Sequence, residues 1–460
     1  MTEGNHEGGG RMAGVRRARQ ETRREIAEFL SIGPVQVAEL DLGDEGPVLR
    51  PGPGSAPVTS GAVFLLVRRA GRPVGTLLGE VPEGADPTRV LAALAREVPR
   101  GAAPGPSPAP PSASVVVATR ERADQLARAL DSLLAQDHPD FEIVVVDNAP
   151  ETEETRELVE RKYGERVGYV REPVPGLAIA HNRGLSAVRG AVVAFTDDDV
   201  VADPRWLTEL TAPFAADPRL GCATGLILPA RLGTPAQVLL ESHGGFAKGF
   251  TPRTYDPERP PADEPLFPFT AGRFGSGASM AFRTEVLRAV GGFDPATGAG
   301  TRARGGDDLY GFVRVLAQGH RLRYTPSALV WHHHRETWRD LETQAYGYGA
   351  GLTAYLTAIL VNRPALLPAL LARVPGGLAH ARALTAVRAT EARAADVTAA
   401  GDPDAGGGAG PVTGAPGGHD SRTHPWPRRL ARLQLRGMLY GPVGYLRARR
   451  ALRTVGREAG

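Results

Sequence analysis

The chain has 460 residues, 42% of them hydrophobic and 23% charged, with a formal net charge of +3. This composition is typical of a folded protein with ample apolar material for a core, and the small net charge argues against nucleic acid as a partner. The single cysteine, Cys222, excludes an internal disulfide framework and a thiolate zinc cluster.

The N-terminal part of the chain predicts a leader, a small domain and a linker. Residues 1–30 are rich in Gly, Arg and Glu, so we expect a disordered basic leader without the apolar stretch of a secretory signal. Residues 31–100 contain buried-strand patterns such as Ala62–Val67 and a short helix pattern at Pro87–Arg96, which indicate a small α+β domain. Residues 101–111 are Pro-rich and predict a stiff linker.

Beyond the linker, residues 112–355 alternate short apolar runs with amphipathic segments. The runs are too short for helices, and the segment after the first of them carries leucines at helical spacing. Strands that alternate with helices in this way predict an α/β fold with a doubly wound, mostly parallel sheet. The first four predicted strands are Ser114–Ala118, Phe141–Val146, Val167–Val170 and Ala191–Phe195.

Polar residues directly follow three of these strands, where ligands bind in an open parallel sheet. Three adjacent carboxylates repel one another unless a cation or protons neutralise them, and such oxygen ligands suit Mg²⁺ or Mn²⁺ with substrate phosphates. A helix N-cap explains one Asp of this triplet but not three. The Asp that ends the second strand is either a turn former or an acceptor for a base or ribose. The three strand endings are Thr119-Arg120-Glu121, Asp147-Asn148 and Asp197-Asp198-Asp199.

Two later motifs also carry polar residues suited to chemistry. Asp307 and Asp308 follow two glycines and open a predicted helix, so they are either first-turn residues that suit the helix dipole or a positioned general base. Three histidines end a strand pattern further on, and side-chain alternation places His332 and His334 on one face, with His333 pointing away. That pattern predicts a contact with a metal or a diphosphate.

Together these motifs resemble those of the family 2 glycosyltransferases, which have the GT-A fold. The resemblance runs from residue 112 to residue 355, about half of the chain. Further motifs that match are Pro175-Gly176-Leu177 with Asn182, Gly277–Arg283, Gly291-Gly292-Phe293-Asp294 and Trp331-His332 with His334. The sequence departs from the family pattern at Asp307, where Glu is usual, and at Ser279, where Asn is frequent.

The resemblance implies a metal-dependent inverting glycosyltransferase with Mn²⁺ or Mg²⁺ as cofactor. It would move a sugar from a nucleoside-diphosphate sugar of the UDP, GDP or TDP type to a hydroxyl of a glycan, a lipid-linked or a small-molecule acceptor. Asp308 would be the catalytic base, and Asp307 would orient the acceptor or the base. The implied nucleotide-binding residues are Thr119, Arg120, Glu121, Asp147, Asn148, Asn182, Asp197 and Asp198. The implied metal ligands are Asp197, Asp199, His332 and His334, and the implied acceptor-binding residues are Gly277, Ala278, Ser279 and Asp307.

Two other functions remain as alternatives. A nucleotidyltransferase also needs a doubly wound sheet, a metal and a nucleotide, but the segment Thr119–Arg122 after the first strand lacks the Gly-rich loop expected of that class. A non-catalytic nucleotide- or sugar-binding protein on a decayed fold is the other alternative, and retention of both acidic motifs speaks against it.

The C-terminal part predicts a helical extension at 356–400, a Gly-rich linker at 401–425 and a basic amphipathic tail at 426–460. Such a tail either lies on an anionic membrane or packs on the main domain with its basic face in solvent. No apolar stretch is long enough to span a membrane, so we expect a cytoplasmic protein, with peripheral contact at the inner face of the plasma membrane if the tail binds lipid.

Overall fold

A computed structural model describes most of the chain. The predicted leader, most of the Pro-rich linker, much of the helical extension and the Gly-rich linker lie outside the described residues. The described ranges are 30–100, 108–243, 245–373, 375–376 and 426–458.

The N-terminal domain is a four-stranded sheet with strand order β2-β1-β3-β4 and one helix, as the α+β prediction requires. Strands β3 and β4 form an antiparallel pair, whereas β1 and β3 are parallel. The helix begins where Asp86 caps it, since its carboxylate accepts a hydrogen bond from the amide of Thr88 at 2.9 Å. The elements are β1 (Gln36–Gly43), β2 (Gly46–Pro51), β3 (Gly61–Arg69), β4 (Arg72–Val81) and α1 (Pro87–Ala95).

The main domain is built on a nine-stranded sheet, and the predicted α/β class is confirmed. Its sheet is mixed: β12 runs antiparallel between β8 and β10, while β6, β5 and β8 are parallel neighbours. The strands are β5 (Ala113–Thr119), β6 (Phe141–Asn148), β7 (Gly168–Glu172), β8 (Val192–Asp197), β9 (Val200–Ala202), β10 (Leu220–Pro229), β11 (Arg253–Tyr255), β12 (Met280–Arg283) and β13 (Arg321–His332).

Helices cover the main sheet and extend beyond it. Because β8, β5 and β6 are adjacent and parallel, the three polar strand endings meet at one edge of the sheet. The helices are α2 (Ala123–Leu133), α3 (Glu154–Leu158), α4 (Leu177–Ala187), α5 (Trp206–Ala216), α6 (Pro235–Ser242), α7 (Thr284–Ala289), α8 (Asp307–Ala317), α9 (Trp338–Asn362) and α10 (Arg428–Glu458).

The N-terminal sheet packs directly on the main domain. Phe64 and Leu66 of β3 share a core with Leu226 and Leu228 of β10. Buried Arg68 donates to the Asp203 carboxylate at 2.6 Å and to Glu39 of its own domain at 2.9 Å. An ion pair held this far from water anchors the two domains because breaking it would strand a buried charge.

No single helix among the described residues is long and apolar enough to cross a membrane; α9 and the following segment Pro364–Arg373 meet those criteria only as a pair, bent by 110°. The long helix α10 packs along α9 through glycines. A Cβ atom at Gly437 or Gly441 would overlap backbone oxygen atoms of α9, so the two helix axes approach as closely as glycine allows.

We expect Gly441→Val to lower the free energy of unfolding by about 1–3 kcal/mol, because three side-chain carbons would enter a filled interface. Urea unfolding followed by circular dichroism measures the change. Ala451→Val is the matched control, since Ala451 is exposed on the same helix and should change stability by no more than about 0.5 kcal/mol. Equal destabilisation by both variants would contradict the packing argument.

Candidate active site

The acidic triplet forms the turn between β8 and β9. The N-cap interpretation is wrong, because helix α5 begins only at Trp206 and Arg205 is its N-cap. Asp198 is held toward β5: it accepts a hydrogen bond from the Thr119 hydroxyl at 2.7 Å and contacts Arg122 at 3.1 Å. Asp198 and Thr119 therefore support the turn, and they leave Asp197 and Asp199 as the carboxylates that face a shared space.

Asp197, Asp199 and His332 form a group whose ligand atoms lie within 4.8 Å of one another. The Oδ1 atom of Asp199 is buried and has no hydrogen-bond partner among the described residues, and it lies 3.4 Å from His332 Nε2. Burial and the charges of Asp199 and Asp198 raise the pKa of Asp197 well above its usual range. A divalent cation would satisfy the unpaired oxygen and the crowded charges, so these residues fit a metal site.

His332 reaches this group because β13 pairs with β9 directly after the acidic turn, with His332 opposite Val200. His334 lies behind it rather than beside it. Its Nδ1 is 3.0 Å from His332 Nδ1, and its Nε2 is 3.1 Å from the carboxylate of Glu241 on α6. Both ring nitrogens of His334 thus have partners outside the metal group, and its predicted role as a metal ligand stays a prediction.

The second acidic pair opens helix α8. Gly306 immediately before it has a φ of +87°, a conformation that favours glycine, and a Cβ there would overlap the Gly351 carbonyl of α9. Asp308 accepts hydrogen bonds from the amides of Gly277 at 3.0 Å and Leu309 at 2.8 Å and remains partly exposed. Burial and the nearby Asp307 raise the pKa of Asp308 to about 6, which places its titration near neutral pH.

Asp307 is the more buried member of the pair. Its Oδ2 lies 3.2 Å from Nδ1 of buried His181, a residue of α4 that is not among the predicted site residues. Phe195 and Phe293 pack against the His181 ring, which holds the imidazole in place. Asp307 therefore contacts a buried histidine of the protein, whereas Asp308 faces the open side of the site.

Asp147 is fully buried at the end of β6. Its Oδ2 accepts a hydrogen bond from the Tyr169 hydroxyl at 2.8 Å, while Oδ1 has no partner among the residues that the structure describes. Burial raises the pKa of this carboxyl group. A buried, unpaired acceptor at a strand end favours ligand binding over a simple turn-forming role.

Arg120 and Glu121 turn toward the loop after β6. Glu121 accepts hydrogen bonds from the amides of Glu151 and Thr152, and Arg120 pairs with Glu151 at the surface at 3.0 Å. Backbone and hydroxyl donors of that loop lower the pKa of Glu121. Both side chains join loops near the site, and their predicted contact with a nucleotide stays a prediction.

Two asparagines predicted to bind nucleotide bridge loops instead. Asn148 donates to the Val174 carbonyl at 2.8 Å and accepts from the Gly176 amide at 2.9 Å. Asn182 donates to the Phe293 carbonyl at 2.8 Å and accepts from the same residue's amide at 2.9 Å. The amide groups of both residues are directed at backbone partners, and their predicted contact with a nucleotide stays a prediction.

The segment predicted to bind acceptor is a short helical turn, Gly277–Ser279, that supports the site from within. Ser279 is fully buried and accepts a hydrogen bond from Trp206 Nε1 at 2.9 Å, which is a structural contact; its predicted acceptor-binding role stays a prediction. The Ala278 carbonyl accepts from the Thr196 hydroxyl at 2.8 Å. Gly277 acts through Asp308, which its amide orients.

We expect Asn182→Ala to lower the free energy of unfolding by about 1–3 kcal/mol, since it leaves two backbone groups of Phe293 without partners. Its nucleotide affinity should stay within about twofold of the native protein's. Urea unfolding and nucleotide titration measure the two quantities, with exposed Arg183→Ala as the control. A large loss of nucleotide affinity at unchanged stability would restore the nucleotide-binding interpretation.

Part of the chain is similar in sequence to known proteins. The model of glycosyl transferase family 2 matches residues 114–290. The pre-mycofactocin glycosyltransferase of Mycobacterium tuberculosis is 30% identical over 175 residues, which are 38% of this chain and 33% of that protein. The glucosyl-dolichyl phosphate glucuronosyltransferase of Haloferax volcanii is 26% identical over 230 residues, 48% of this chain and 68% of that protein.

A solved structure of a mannosyltransferase from Pyrobaculum calidifontis, in complex with GDP-Man and Mn²⁺, aligns with 76% of this chain and 94% of its own, at 20% identity and a TM-score of 0.43. The chain spans about a third of the length of the first curated relatives that it matches. Asp308 and His332 lie beyond the residues matched by the family model. The strands that carry the acidic triplet and Asp147 lie within them, so this part of the chain is similar to glycosyl transferase family 2.

Proposed function

We propose that the protein is a metal-dependent inverting glycosyltransferase that uses a nucleoside-diphosphate sugar. The observation that carries the proposal is the pairing of two acidic centres: the group of Asp197, Asp199 and His332, and the partly exposed Asp308. The charge of Asp308 contributes to the raised pKa of Asp197, which supports a shared reaction space.

In this proposal Asp308 accepts the proton of the acceptor hydroxyl as its oxygen attacks the anomeric carbon. The bond between that carbon and the diphosphate oxygen breaks on the opposite side, so the configuration inverts. Asp197, Asp199 and His332 would hold a divalent cation, which when bound offsets the negative charge of the diphosphate. The two amides that bind Asp308 hold its carboxylate in one orientation throughout.

In this proposal Asp147 selects which nucleobase the site binds. Its unpaired Oδ1 is an acceptor that a ring N–H of a nucleobase can satisfy. Uracil, thymine and guanine have such a ring N–H, whereas neutral cytosine offers only its exocyclic amino group. We therefore expect UDP, TDP or GDP to bind more tightly than CDP.

A thermal-shift series with UDP, GDP, TDP and CDP, each with and without Mn²⁺, tests the donor site. A ligand at about 100 times its Kd should add about 2.7 kcal/mol of stability. Binding of one nucleotide that depends on Mn²⁺, followed by release of nucleoside diphosphate from the sugar donor, supports the transferase. Release of pyrophosphate would indicate a nucleotidyltransferase, and binding without turnover a non-catalytic protein.

The rate of sugar transfer should depend on the protonation of Asp308. Its pKa of about 6 means that the carboxylate, the form that can accept a proton, is lost as the pH falls through 6. We expect kcat to be nearly constant above pH 7 and to fall about tenfold per pH unit well below 6. A profile of kcat from pH 5 to 8 measures this, and a rate that rises toward acid pH would contradict the assignment of Asp308 as base.

We also propose that helix α10 lies on an anionic membrane. Its exposed face carries an apolar patch made of Leu435, Leu439, Val443 and Leu446, with exposed fractions between 45% and 81%. Arginines precede and follow the patch on the same helix, and residues 428–453 contain no acidic residue. Exposed apolar side chains flanked by arginines complement the acyl boundary and the anionic headgroups of such a surface. This arrangement favours a lipid-linked acceptor and a place at the cytoplasmic face of the membrane.

Sedimentation with vesicles of phosphatidylcholine, with and without phosphatidylglycerol, tests the membrane proposal. We expect binding only to the anionic vesicles and a large loss of binding in Leu439→Gln. Leu78→Gln is the matched control, because Leu78 in β4 is as exposed as Leu435, at 60%. Equal binding by the native protein and Leu439→Gln, or no vesicle binding at all, would overturn the proposal; self-association that Leu439→Gln abolishes would identify the patch as a protein interface.

A further inference from the structure

We propose that Glu241 and His334 are positioning residues that present His332 to a divalent cation with its Nε2 lone pair free. The inference rests on the proposed metal site, gives His334 a role behind His332, and adds Glu241, which no motif contains. They lie in different parts of the chain, since Glu241 is on α6 and His334 follows β13. The structure joins them in one hydrogen-bonded series from Glu241 through His334 to His332.

The geometry of the series is continuous. Glu241 Oε2 is 3.1 Å from His334 Nε2, His334 Nδ1 is 3.0 Å from His332 Nδ1, and His332 Nε2 is 3.4 Å from Asp199 Oδ1. His334 is 3% exposed and Glu241 is 9% exposed, so water does not readily replace either partner. Phe246 packs against both imidazole rings and holds them in place.

Counting protons along the series gives each ring one tautomer. An ionised Glu241 can only accept, so the Nε2 of His334 carries a proton and donates it. In a neutral His334 the Nδ1 is then an acceptor, and the His332 Nδ1 across from it must carry the second proton. His332 Nε2 is left with its lone pair, on the side of Asp197 and Asp199, which is the form in which imidazole binds a metal.

The series therefore does for His332 what carboxylate partners do for metal-binding histidines in general: it selects the tautomer and fixes the ring. Gln237 anchors the same end of β13, because its side chain donates to the His334 carbonyl at 3.2 Å. The nearest histidine in sequence, His333, is outside the series, and its backbone amide donates to the Asp199 carbonyl of the acidic turn at 2.9 Å.

Titration of the purified full chain with Mn²⁺, followed by calorimetry, tests the inference. We expect Glu241→Leu to weaken Mn²⁺ binding about 10- to 100-fold, the usual effect of removing such a partner. Glu241→Gln should restore most of the affinity, because its amide oxygen still accepts from His334 Nε2. His333→Gln is the control and should bind Mn²⁺ as the native chain does, since the backbone contact remains.

Nitrogen-15 NMR of histidine-labelled, Mg²⁺-loaded native protein gives a second readout that requires no destabilised variant. We expect the Nδ1–H form for His332 and the Nε2–H form for His334. The opposite tautomers, or unchanged Mn²⁺ affinity in a folded Glu241→Leu, would overturn the positioning role while leaving the metal site intact. Failure of the native chain to bind Mn²⁺ would instead overturn the metal site and with it the inference.

Discussion

Asp308→Asn is expected to lower kcat for sugar transfer by about 100- to 10,000-fold, the usual contribution of a positioned general base. The asparagine side chain fills the same space but cannot take the proton of the acceptor hydroxyl. It also accepts through one oxygen only, so one of the two amide hydrogen bonds to Gly277 and Leu309 is lost. Initial rates at saturating donor and acceptor measure the effect.

The control for this variant must separate chemistry from folding. Nucleotide affinity should stay within about threefold in Asp308→Asn, because Asp147 and the metal group are unchanged. Glu336→Gln, an exposed carboxylate outside the site, should keep native kcat. A rate above one-tenth of the native value in Asp308→Asn would exclude Asp308 as the base. Asp307, whose carboxylate faces His181, would then be the next candidate for that role.

The second large effect is expected from Asp199→Asn. Relative to the native protein, its unfolding temperature should be higher without metal and lower with metal. Without metal the variant should unfold at a higher temperature than the native protein, because it removes a charge that raises the pKa of Asp197. With Mn²⁺ it should show little of the native stabilisation. We expect Mn²⁺ affinity to fall at least about 100-fold, more than for partners outside the ligand group.

Thermal unfolding with and without Mn²⁺ measures both halves of this prediction. Asp203→Asn serves as a contrast: it is an acidic residue of the same region, but its carboxylate pairs with Arg68, so the variant should lose stability and keep the Mn²⁺ response. Asp199 Oδ2 lies 3.6 Å from Arg122 Nη1, so loss of stability without metal and an intact Mn²⁺ response in Asp199→Asn would show that its carboxylate is a structural partner of Arg122 and His332.

Strand order along the chain was enough to predict the edge of the sheet that carries the candidate site. The apolar runs that end at Thr119, Asp147 and Asp197 are local features, and parallel strands bring their ends together whatever the rest of the chain does. The same holds for Asp307 and Asp308, whose glycines and helical pattern place them in a first turn. The position of a residue at a strand end or in the first turn of a helix depends mainly on its neighbours in the sequence.

The partners of polar side chains depended on packing between distant segments. Asn148, Asn182 and Ser279 have the right types and positions for ligand binding, and distant segments brought alongside them supply backbone or indole partners. His334 differs from His332 because Glu241, on another helix, lies next to its ring.

Residue type and spacing thus determined which side chains can bind a nucleotide, a metal or a proton, because those capacities belong to the side chain and to its place on a strand or helix. Which of them are free to do so was determined by the tertiary structure. A buried donor or acceptor is satisfied by whatever partner the fold brings to it, and for Asp147, Asp199 and His332 the fold leaves one polar atom without a hydrogen bond or facing the metal group.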